Sequence, residues 1–70
     1  MDKKQYGANL RAMRILAGLT PRQLGERCGY SGDSGRVMVC QWESGDRPIP
    51  LDKMRLAAKA LGVNVIELIP

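Results

Sequence analysis

Residues 19–45 read LTPRQLGERCGYSGDSGRVMVCQWESG, and the punctuation within this stretch decides the fold. Thr20 precedes Pro21, and Gln23 follows Thr20 by three. A Thr hydroxyl accepts a backbone N–H at a helix start, proline suits the first helical position, and a Gln three residues on can reach back to close a capping box. A helix therefore begins near Pro21. Leu24 and Cys28, four apart, form its apolar face, while Arg22, Gln23, Glu26 and Arg27 face outward. Gly29 suits a left-handed cap that ends the helix near Cys28. Gly25 falls on the inner side, where glycine costs about 1 kcal/mol relative to alanine, so close approach of another helix is the expected compensation. A further helix runs from Gly35 or Arg36 to Glu43, with Val39 and Trp42 inward and Gly45 as its stop.

Working outward, Tyr6, Leu10, Met13 and Ala17 recur at helical spacing, which predicts a first helix from about Lys4 to Leu16, ended by Gly18. The turn GDRPIP carries two prolines that forbid continuation of the helix before it. A fourth helix is expected from near Pro50 to Leu61, with Met54, Ala57, Ala58 and Leu61 inward and Gly62 closing it. Asn64 with Glu67 three residues later repeats the capping-box pattern and starts a short fifth helix bearing Ile66, Leu68 and Ile69. The reading is all-α, a compact five-helix bundle in one domain, residues 1–70.

Composition agrees. Seventy residues allow one small core. Eleven Lys and Arg against seven Asp and Glu leave a net charge of +4, which favours a polyanionic partner. With no His and only Cys28 and Cys40, neither a Cys/His zinc site nor a Cys/His or Ser/His catalytic pair can be assembled, so no metal, no cofactor and no enzymatic activity are expected. The two thiols read better as small hydrophobes than as a disulfide. No apolar run approaches the roughly 20 residues of a membrane span, and MDKKQYGANL lacks the apolar stretch of a signal peptide, so a cytoplasmic protein is expected.

The helix ending at Glu43 displays Arg36, Val37, Met38 and Gln41. Arg can bridge guanine O6 and N7, Gln can pair with adenine N6 and N7, and Val or Met can meet a thymine methyl, so these side chains suit the major groove of double-stranded DNA. An ordinary polar helix face is the plain alternative. Together, the two helices read as a helix-turn-helix.

The order of segments resembles the phage repressor and Cro family of helix-turn-helix domains, also named after the xenobiotic-response-element regulator, with a lambda-repressor-like fold. NLRAMRILAGLT, LTPRQLGERCG, VCQWESGDRPIP and LAAKALGVNVIELI look like that family's first helix, second helix, third helix with its exit turn, and last two helices. The resemblance implies sequence-specific binding of operator DNA, most often as a two-fold dimer that represses transcription. It places Arg36, Val37 and Gln41 at base-reading positions, with Met38 at a neighbouring DNA-facing one. Arg22, Gln23 and Arg47 fall at phosphate-contacting positions, and Arg14 with Glu43 matches a partly buried salt bridge between the first and third helices. Pro21 departs from the pattern, since a polar phosphate contact often stands there, and Arg22 is its expected replacement.

A larger departure is the turn. Between Gly29 and Arg36, YSGDSG exceeds the usual short connection by about four residues. Two readings stay open: a tolerated surface insertion, or a loop that reaches the DNA backbone, with Ser34 and the backbone N–H groups at the start of the third helix holding a phosphate. Asp33 would oppose that phosphate, and either Asp33 or Ser34 could cap the helix. Leu56, Val65 and Ile69 are candidates for exposed apolar surface in a weak homodimer. A protein-interaction module on the same scaffold, such as an antitoxin or a bridging coactivator, is the competing function, because fold alone does not settle a partner.

Overall fold

The structure is a computed structural model, and it describes residues 3–69. Among the described residues there are five helices and no strand: α1 (Lys3–Leu16), α2 (Pro21–Arg27), α3 (Asp33–Ser44), α4 (Leu51–Leu61) and α5 (Val65–Leu68).

The expected local signals act at the helix ends. At α2, Gln23 N–H donates to Thr20 Oγ1 at 3.1 Å and Thr20 N–H donates to Gln23 Oε1 at 2.8 Å, closing the capping box. Cys28 is its C-cap, and the Gly29 N–H then donates to Glu26 O while the Tyr30 N–H reaches Gly25 O, the paired bonds that a left-handed glycine permits. At α5, Asn64 and Glu67 form the second box, with Asn64 N–H donating to Glu67 Oε2 at 2.7 Å.

Leu10, Leu24, Cys28, Val39, Trp42, Met54, Ala57, Ala58 and Leu68 make the buried core, drawn from every helix and from the C-cap of α2. Trp42 is its largest member. α3 packs mainly against α2 and α1. Two glycines set those distances. A Cβ on Gly25 would overlap the backbone of Gly35, standing 2.6 Å from its carbonyl oxygen, and one on Gly7 would overlap the Trp42 carbonyl and come within 2.7 Å of the Glu43 carbonyl. Gly25 thus has the compensation expected of it, and the equivalent role of Gly7 carries no motif that a sequence reader would notice.

Several expectations need correction. α3 begins at Asp33, not at Gly35 or Arg36. The YSGDSG segment is therefore not one long loop, because Asp33, Ser34 and Gly35 form the first turn of the helix and only residues 28–32 connect α2 to α3. Gly32 is the N-cap and makes no side-chain cap bond, so neither Asp33 nor Ser34 caps. Helix is preferred here because it seats Gly35, which is buried, against Gly25. Ala17 lies beyond the end of α1 and is exposed rather than inward. Cys40 is exposed, whereas Cys28 is buried as expected. Val65 is half-buried and packs on the core, while Leu56 and Ile69 do leave apolar surface exposed.

Candidate nucleic-acid interface

The outer surface of α3 is the candidate interface, and its orientation follows from what holds the inner surface. Gly35, Val39 and Trp42 are buried. At the C-terminal end of α3, Arg14 Nε donates to Glu43 Oε2 at 2.6 Å and Arg14 Nη2 to Glu43 Oε1 at 3.1 Å, a two-pronged ion pair whose side chains are 11% and 7% exposed. Arg14 Nη1 also donates to Leu19 O at 2.9 Å, so one guanidinium ties α1, the α1–α2 turn and α3 together. The hydrogen bonds to Glu43 raise the Arg14 pKa, so the group stays charged. Sequence reasoning placed Arg14 and Glu43 as a pair, and the structure brings them together.

Away from the buried Gly35, Val39 and Trp42, Arg36 and Val37 are exposed, with Arg36 two turns before Glu43 on the same edge of the helix. Gln41 is half-buried beside them, and Met38 is half-buried with part of its side chain packed on the core, so the four are spread around more than one face of the helix. Successive residues of a helix turn by about 100°, which puts Asp33, Val37, Cys40 and Ser44 along the middle of the outer face, with Arg36 on one flank and Gln41 on the other. Cys40 is thus a member of this face that sequence reading did not single out. Tyr30, Asp33, Ser34, Val37 and Met38 line a shallow concavity at its N-terminal end.

Basic and polar groups border this face. Arg22 is exposed in the first turn of α2, and its Nη2 lies 3.9 Å from where a Cβ of Gly32 would stand, next to the start of α3. The capping box occupies Gln23 Oε1 with the Thr20 N–H, which leaves the amide NH2 as the end able to donate outward. Ser34 is exposed in the first turn of α3. Arg47 is exposed in the turn after α3, where the N–H groups of Asp46 and Arg47 both donate to Gln41 O, at 3.0 and 3.2 Å.

Lys53 fastens α4 to the connection between α2 and α3, and no sequence signal marked it. Its Nζ donates to Cys28 O at 3.1 Å and lies 4.7 Å from the centre of the Tyr30 ring. Tyr30 in turn stands against Trp42, ring centres 6.0 Å apart and tilted by 60°. A cation at the C-terminus of α2 complements the helix dipole and the ring face together. Burial pushes the Cys28 thiol pKa up, opposed by the charge of Lys53.

No group of three His, Cys, Asp or Glu side chains among the described residues could hold a metal ion, and no helix there is long and apolar enough to cross a membrane. The fold and the exposed helix define a helix-turn-helix protein. Comparison with protein families agrees: the family described as "Helix-turn-helix domain" matches residues 5–68, and the chain belongs to it. No curated protein and no solved structure matches the chain. Membership suggests a DNA-binding regulator, in a family that is typically non-enzymatic.

Proposed function

We propose that residues 1–70 form one DNA-binding domain of the phage repressor and Cro type, a cytoplasmic, non-enzymatic repressor that binds a two-fold operator as a weak homodimer. The observation that carries this reading is the outer face of α3, exposed while its inner face is locked to α1 and α2. In the major groove, Arg36 bridges guanine, Gln41 pairs with adenine, and Val37 with the exposed part of Met38 meets thymine methyls. Arg22, the Gln23 amide, Ser34 and Arg47 hold phosphates on either side and set the depth of the helix without carrying sequence information. The net charge of +4 supports the same partner. Exposed Leu56 on α4, Ile66 on α5 and Ile69 at the C-cap of α5 support weak self-association.

Selection from a random duplex library at near-physiological salt tests the reading. The expected product is an inverted repeat with half-sites about 34–36 Å apart. Recovery of no motif, with binding that vanishes as salt rises, would leave only nonspecific attraction and would favour a protein partner on the concavity beside Val37 and Met38.

A further inference from the structure

Asp33 stands where an acid is least welcome on a surface that approaches phosphates. It is the first residue of α3, at the middle of the outer face, and it does not cap the helix. One turn on, Arg36 Nε lies 3.7 Å from Asp33 Oδ1, with the two side chains 53% and 78% exposed respectively. The carboxylate therefore sits at the Nε edge of the guanidinium and leaves the opposite edge, Nη1 and Nη2, unblocked by this contact. Bridging guanine O6 and N7 takes two parallel N–H donors in one plane. An exposed arginine without a neighbour must give up its rotamer freedom to present them.

We propose that Asp33 is a positioning residue for Arg36, holding the guanidinium by its Nε edge so that Nη1 and Nη2 point at the base pair that Arg36 reads. This rests on the major-groove reading of α3 given above. The rival role is local: an acid in the first turn of a helix is stabilising through the helix dipole alone. The two roles differ in sign at the DNA. If Asp33 serves only the helix, neutralising it removes a repulsion with phosphate and strengthens binding to every duplex alike. If it positions Arg36, neutralising it weakens discrimination at one base pair.

The test uses the duplex recovered by selection and a series of single-base-pair variants of it, in competition binding at constant salt. Arg36→Ala first identifies the base pair whose preference depends on Arg36. Asp33→Asn, which keeps the size of the side chain and removes its charge, is then expected to lower discrimination at that pair at least about fivefold, the lower end of what one two-pronged base contact provides. Preferences elsewhere in the site stay as they are. In the Arg36→Ala background the same change has no effect on base preference, and Asp33→Glu, whose carboxylate still reaches one turn along the helix, restores part of the discrimination. Thermal melting separates this from a folding defect, since loss of the charge at a helix start lowers the melting temperature without selecting one base pair. Tighter binding of Asp33→Asn to all duplexes, with base preferences unchanged, overturns the positioning role and leaves the groove reading intact. An Arg36→Ala protein that keeps its preference at every base pair overturns the groove reading of Arg36, and the role of Asp33 with it.

Discussion

One methyl group separates two glycines that helix propensity treats alike. Alanine is favoured over glycine within a helix by about 1 kcal/mol, so propensity alone predicts a gain at both Gly25 and Gly35. At Gly25 the new Cβ would overlap Gly35 Cα and stand 2.6 Å from the Gly35 carbonyl oxygen, all backbone that moves only if the helices part. At Gly35 the nearest atoms are Gly25 Cα at 3.0 Å, the Gly25 carbonyl carbon at 3.1 Å and Tyr30 Cβ at 3.3 Å, a tight contact without overlap that a shift of a few tenths of an ångström relieves. Gly25→Ala is therefore expected to destabilise by about 2 kcal/mol or more, within the range for overpacking, and Gly35→Ala to stay within about 1 kcal/mol of the parent protein. Denaturant midpoints of the two variants check this, and equal costs would refute the difference in approach.

For the helices as units, the decisive question is which groups fasten α3 and which face the DNA. Arg14→Ala removes the partner of a Glu43 side chain that is 7% exposed and opens the bond to Leu19 O. Loss of one member of such a pair costs about 3 kcal/mol or more, which for a domain of this size lowers the melting temperature by more than about 10 °C. Below that temperature, base preference is expected to persist, because the Arg14 guanidinium is engaged by Glu43 and Leu19 O rather than displayed on the outer face of α3. Gln41→Ala should act oppositely, leaving melting almost unchanged while costing about 1–3 kcal/mol at one base position. Arg47→Ala should weaken all duplexes alike and reduce the salt slope by about one. Parallel losses from Gln41→Ala and Arg47→Ala on every sequence would show that α3 reads no bases.

At the scale of the whole molecule, the buried thiol links stability to pH. Burial raises the pKa of Cys28 above its ordinary value of 9.0, so the unfolded chain releases this proton at a lower pH than the folded one. The stabilisation is fully present below about pH 9 and is lost as pH rises from there through the folded value. The difference in stability between the parent protein and Cys28→Ala should therefore shrink between pH 8 and pH 10.5 in thermal melts, to a degree set by that shift, and a constant difference would argue against it. Self-association is tested on the same scale. Leu56 is 40% exposed on α4, and Leu56→Glu is expected to reduce affinity for a two-fold site toward that for a single half-site, with half-site binding unaltered. Unchanged affinity for both would place any dimer contact elsewhere.

The sequence by itself determined the number of helices, most of their ends and the main core positions, because each depends on residues within four of one another. The Thr20–Gln23 and Asn64–Glu67 boxes close within a single turn, and the inward spacing of Leu24 with Cys28 or Val39 with Trp42 is a property of one helix. The Arg14–Glu43 pair was legible only through resemblance, since the two lie 29 positions apart. Only the tertiary structure decided where α3 begins, since Gly32 supplies no side-chain cap and the first turn is selected by the contact of Gly35 with Gly25. It likewise decided that Gly7 sets the spacing of α1 from α3, that Lys53 closes over Tyr30 and the end of α2, and that Cys40 faces outward. The physical reason is range: capping and periodicity are written into neighbouring residues, whereas the distance between two helices depends on atoms that meet only after the chain has folded.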